Sequence, residues 1–145
     1  MSNRNCDLIL KQHQMIRWNI EHILGQLEEL KKDPSLMDLE GLEYEIKQLI
    51  RLLEAHSICE EEILLPILKE MYQSQPDILQ YVVEDHVVFQ QELTALLDRP
   101  SSLQEKRRDI RSLLNRITVH FIEEEKGLLP LVDRFLLTHS GLRER

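Results

Sequence analysis

An all-α fold, specifically an antiparallel up-down-up-down four-helix bundle, is what this sequence predicts, and three observations predict it. Apolar residues recur at threes and fours over four long stretches. Glycine and proline are few, four and five in 145 residues, while Leu, Ile, Glu, Gln and Arg, mostly good helix formers, dominate. The pattern breaks at only three short clusters, and connections that short make neighbouring helices antiparallel. The length is that of one domain spanning 1–145.

The first helix is expected over about 5–32, with Ile9, Ile16, Ile20, Ile23, Leu24, Leu27 and Leu30 on one face, and Asp33-Pro34-Ser35 ends it. A second helix over about 38–72 takes Asp38 as its cap and carries Leu42, Ile46, Leu49, Leu52 and Leu53; Pro66 kinks it without ending it. Ser74-Gln75-Pro76-Asp77 turns the chain into a third helix over about 77–97, through Leu79, Val83, Phe89, Leu93 and Leu96. Asp98-Arg99-Pro100-Ser101-Ser102 then leads into a fourth over about 102–137, capped by either serine.

Within this frame one segment occurs twice. His56 to Pro66 reads HSICEEEILLP and His120 to Pro130 reads HFIEEEKGLLP, identical at seven of eleven positions. On a helix the His and the Glu four residues on, His56 with Glu60 and His120 with Glu124, share a face and can hold one cation from one helix. The other helices supply matching residues. At about 100° per residue, His13 is in phase with Ile9, Ile16 and Ile20, and His86 with Val83, Phe89 and Leu93, so each points into the core. His22 falls about 180° from His13 and faces solvent, and His139 sits too far along its helix to join them.

The inward set is therefore His13, His56, Glu60, His86, His120 and Glu124. Six nitrogen and oxygen donors in an apolar core would cost several kcal/mol each without compensation. Two divalent or trivalent cations would supply it. Glu125 offers an alternative register to Glu124, but the repeat sets Glu124 opposite Glu60; Glu61, Glu62, Glu123 and Glu125 otherwise read as a solvated acidic face. Arg17, Arg116 and Gln90 lie one turn from inward histidines, where they either orient the ligands or an incoming anion, or run from the core edge to solvent. Gly127 is read as facing the core, as a ligand path or a packing accommodation, and Cys59 as a small buried residue.

A net charge of −8 argues against nonspecific binding to nucleic acid or an anionic membrane surface. Two cysteines far apart do not make a disulfide framework, and neither an apolar leader nor an uninterrupted apolar span is present, so a cytoplasmic protein is expected.

The doubled HxxxE, with one further histidine on each alternate helix, resembles the hemerythrin-like (HHE cation-binding) family over nearly the whole chain. The resemblance implies a non-haem di-iron centre, two Fe ions held by the six residues above with Glu60 and Glu124 bridging; Mn or Zn would accept the same donors. The oxygen-carrying members have a fifth histidine on the third helix, where Val82 and Gln90 occupy the flanking turns here. The four-His, two-Glu set is more similar to members linked to nitric oxide, oxidative stress and repair of iron–sulfur centres. It implies a small diatomic or peroxide ligand (O2, NO or peroxide); iron storage, delivery or sensing without catalysis, and oxygen carriage, are the alternatives.

Overall fold

In the computed structural model the described residues are 4–32, 39–72, 77–100 and 102–138, with the side chains of 4, 5, 39, 40, 77–86 and 103 left outside. They form α1 (Arg4–Lys32), α2 (Leu39–Met71), α3 (Asp77–Asp98), α4 (Leu103–Glu123) and α5 (Leu129–Thr138). A single π turn over Glu124–Leu128 joins α4 to α5 without leaving the right-handed helical backbone. The Leu129 N–H donates to the Glu124 carbonyl, five residues back instead of four. The chain belongs to the all-α class, and no helix among the described residues is long and apolar enough to cross a membrane.

Cross-helix pairs give the directions. Asn19 Nδ2 reaches Glu45 while His13 meets His56, so α1 and α2 are antiparallel. Arg111 pairs with Glu28 and Glu125 with Arg17, so α4 also runs against α1. Arg116 with Glu92 and Arg99 with Asp109 set α3 against α4. The expected up-down-up-down bundle follows. Ser102 is the cap that starts α4: its hydroxyl accepts the Glu105 N–H at 3.2 Å, and the Lys106 N–H donates to the Ser102 carbonyl to close the first turn. The breaks at Asp33-Pro34-Ser35 and Ser74-Gln75-Pro76, the Asp38 cap and His139 lie outside the described residues.

The buried side chains fall into two apolar layers. The larger contains Ile16, Ile20, Ile23 and Leu27 of α1, Ile46, Leu49 and Leu53 of α2, Phe89, Leu93 and Leu96 of α3, and Ile110 to Phe121 of α4. The smaller contains Cys6 and Ile9, Leu64 and Leu68, and Leu129, Val132 and Leu136. Along α1, along α2 and along the run from α4 into α5 the two layers are separated by polar residues: His13 between Ile9 and Ile16, His56 and Glu60 between Leu53 and Leu64, and Glu124 between Phe121 and Leu129. The periodicity that builds the helices thus positions the site.

The π turn breaks the sequence repeat at this level. In α2 the buried residue after Glu60 is Leu64, four on; after Glu124 it is Leu129, five on, and Leu128, the counterpart of Leu64 in the repeat, is only half-buried. Gly127 also departs from expectation. It lies inside the π turn, exposed, with open space where a Cβ would stand, and faces no core.

Leu49 is fully buried in the larger layer, so Leu49→Ala is expected to cost about 2–5 kcal/mol in urea unfolding. Tyr44→Ala on the exposed face of the same helix should stay within about 0.5 kcal/mol.

Candidate metal centre

Four side chains of the polar layer converge. His13, His56, Glu60 and Glu124 each offer one donor atom, and these atoms lie within 4.8 Å of one another, all from buried residues. His56 Nε2 stands 2.8 Å from Glu60 Oε1 in its own helix, the contact that the four-residue spacing provides. Across the α1/α2 interface it faces His13 Nε2 at 3.2 Å. Glu124 enters from the other side, its Oε1 lying 3.6 Å from His13 Nε2 and 3.9 Å from His56 Nε2.

His120 touches the group from its edge. Its Nε2 is 3.3 Å from Glu124 Oε1, again by the four-residue spacing, but it remains outside the tight set of four. It is also more accessible than the two inner histidines, with its side chain 13% exposed against 0% for His13 and His56. The helical backbone at His86 is that of α3, and its side chain lies outside the described residues. His22 is exposed beside Glu45, as its phase requires.

Two features were not singled out in the sequence, and a third was read differently. Phe121, fully buried, stacks on the His13 ring at 4.2 Å with planes 11° apart and meets His56 edge-on at 5.3 Å. Its signal was available, since it continues the stripe of Ile117 and Glu124. Gln12 Oε1 accepts from His56 Nδ1 at 3.0 Å. That bond keeps the proton on Nδ1 and turns Nε2 toward the carboxylates. Nothing in a polar residue beside a histidine announces such a role. Glu125 does not belong to the solvated face: it is half-buried and takes both guanidinium nitrogens of Arg17.

Of the alternatives left open, Arg116 takes the surface one, and the reading of Cys59 is corrected. Arg116 is exposed and bound to Glu92, with its guanidinium 5.9 Å over the Phe89 ring, so it runs to the surface between α3 and α4. Gln90 is half-buried, and the bond recorded there is from the Thr94 hydroxyl to its carbonyl. Cys59 is half-buried, not buried, and Cys6 is the buried cysteine; both are free thiols. Burial, with Asp133 adding to it, pushes the Cys6 thiol up to about 12, where it is inert.

The electrostatics show how strained this layer is as protein alone. Burial disfavours the His56 imidazolium, but Glu124 and Glu60 outweigh it and raise its pKa from 6.5 to about 9. His13 is likewise depressed by burial and raised, on balance, by Glu124 and Glu60. For Glu124 burial pushes the carboxyl up, yet His120, His13 and His56 hold it well below the ordinary carboxylate range. Both Glu124 carboxylate oxygens and His13 Nδ1 are buried with no hydrogen bond among the described residues. Two ring nitrogens that face each other can share only one proton. A cation fits this set: it would satisfy carboxylate oxygens and imidazole nitrogens together and remove the need to bury extra protons.

A model of the Hemerythrin HHE cation binding domain matches residues 5–132, which takes in every residue described above as part of the centre. The chain belongs to that family. Searches among curated proteins and among solved structures returned no match.

The metal-free protein should show the signs of its pKa shifts. His56 has a folded pKa raised from 6.5 to about 9, so the stability it contributes is complete below pH 6.5 and lost as pH rises through 9. Glu124 is depressed from 4.5, so its contribution is present above 4.5 and lost as pH falls. Calorimetry of chelator-treated protein is expected to give its highest melting temperature between these limits and a decline toward pH 10. A melting temperature that climbs from pH 7 to 10 would contradict this assignment.

Proposed function

We propose that this chain binds two non-haem iron ions through His13, His56, Glu60, His86, His120 and Glu124, and uses them to bind or react with O2, NO or peroxide. The setting would be sensing, stress response or repair of iron centres in the cytoplasm. The observation that carries the reading is the convergence of four buried donors within 4.8 Å in a layer sealed by apolar residues on both sides. Glu124 Oε1, between His120 Nε2 at 3.3 Å and His13 Nε2 at 3.6 Å, is suited to serve two ions. Mn or Zn would accept the same donors, but imidazole with carboxylate and open positions is the set used by iron sites that activate small molecules.

Bound iron would supply open coordination positions and one-electron redox chemistry. The chain's own part is to hold the donors and to regulate access. Phe121 fixes the His13 and His56 rings by contact, and Gln12 fixes the His56 tautomer. A cavity of about 380 Å³ between α3 and α4, lined by Val88, Phe89, Asn115, Arg116, Val119, His120 and Glu123, ends on the accessible face of His120. Its valines and phenylalanine favour a small uncharged ligand over a hydrated ion.

Protein from iron-replete cells should contain two irons per chain, falling by half or more in His56→Ala and Glu124→Ala as read by elemental analysis. Anaerobic NO added to the reduced protein should produce iron–nitrosyl absorption. Inertness to NO, O2 and peroxide with iron bound would sink the small-ligand reading in favour of storage, delivery or iron sensing. Val119→Trp, which fills the cavity at a position that is not itself a donor, should slow NO association about tenfold or more while leaving iron content unchanged, as measured by stopped flow and elemental analysis; an unchanged rate would place the entry elsewhere.

A further inference from the structure

The two copies of the repeat carry a Glu directly after the shared HxxxE, Glu61 in α2 and Glu125 at the π turn. They end in different places. Glu61 is exposed, whereas Glu125 is half-buried against α1 and receives the Arg17 guanidinium on both oxygens, Nη1 to Oε1 at 2.8 Å. The same Oε1 stands 3.7 Å from His13 Nδ1, on the side of the ring turned away from the cluster. His13 Nδ1 is buried and has no hydrogen bond among the described residues. His13 also points Nε2 at Glu60 and Glu124, at 3.8 and 3.6 Å.

We propose that Arg17 and Glu125 form a positioning clamp on His13: Glu125 accepts from the Nδ1–H so that Nε2 faces the metal, and Arg17 holds Glu125 out of the donor cluster so that it does not displace Glu124. This rests on the metal-centre reading above and adds to it an asymmetry. His56 has its Nδ1 proton on a neutral amide, Gln12 Oε1, while His13 has its own facing a carboxylate. A carboxylate partner makes the imidazole a more basic donor, and loss of such a partner weakens metal affinity by about 10–100-fold. Of these two rings, His13 would therefore be the more basic donor to a bound ion. Arg17 serves this role through charge as well as reach: its guanidinium donates to both Glu125 oxygens and fixes the carboxylate as an acceptor beside the ring.

The test is a titration of metal-free protein with cobalt(II), read by visible absorption, on wild type, Arg17→Ala, Glu125→Ala, Glu125→Gln and the Arg17→Ala/Glu125→Ala double variant, with the metal-free melting temperature of each. Wild type should take up two equivalents. Each alanine variant should bind one of them about 10–100-fold more weakly with an altered band, the double variant no more weakly than either single, and Glu125→Gln, which keeps an acceptor oxygen without the charge, should recover only part of the loss. Two equivalents bound with wild-type affinity and spectrum in every variant would overturn the clamp alone. So would losses that multiply in the double variant, or a lower metal-free melting temperature with cobalt binding unchanged, which would make the pair a mere tie between α1 and α4. A wild type that binds no cobalt would instead overturn the metal-centre reading beneath it.

Discussion

Everything in this bundle is arranged around the cost of burying carboxylates and imidazoles in one apolar layer. Glu60 is 1% exposed and Glu124 5%, and neither could remain charged there without the three histidine rings that press on them. The long apolar runs of α1, α2 and α4 make this possible because they seal the layer from both sides. They also raise the stakes, since a low dielectric strengthens each attraction and each unsatisfied atom alike. Without a metal the layer leaves buried carboxylate oxygens and an imidazole nitrogen without hydrogen bonds among the described residues, and a cation would satisfy them. Fold and site are in this sense one design: the helices are long so that a polar layer can sit in their middle.

The bundle was legible because helix periodicity is a strong signal over stretches of this length. The phase of His13, His56, Glu60 and Glu124 was legible for the same reason, since a buried face is fixed by arithmetic on the apolar residues around it. His120 was placed less well by phase alone. It lies at the rim, and its neighbour Phe121 takes the fully buried position, because the stripe through Ile117, Phe121 and Glu124 runs one residue to the side.

What the sequence did not reveal depends on side-chain reach and backbone irregularity. Arg17 and Arg116 look alike as long cations one turn from a histidine, yet one meets Glu125 beside His13 and the other meets Glu92 at the surface. Which partner a long chain finds is set by the neighbouring helix, not by its own phase. Gly127 was misplaced because a regular helix was assumed through the second motif. The π turn advances the phase there and carries Gly127 out of the core, and it brings Glu125 inward from the face where its counterpart Glu61 remains.

That turn also means the two eleven-residue segments are not interchangeable parts. They spell nearly the same word, but the second is read with one residue more per turn. Moving it into α2, or letting α4 close into a regular helix, would swing everything beyond the motif by about 100° and exchange Leu129, Val132 and Leu136 for their half-exposed neighbours against α1 and α2. Likeness between the halves of such a chain therefore measures what the centre demands of them, and where the likeness ends in space the chain has spent a backbone irregularity to make the halves unequal.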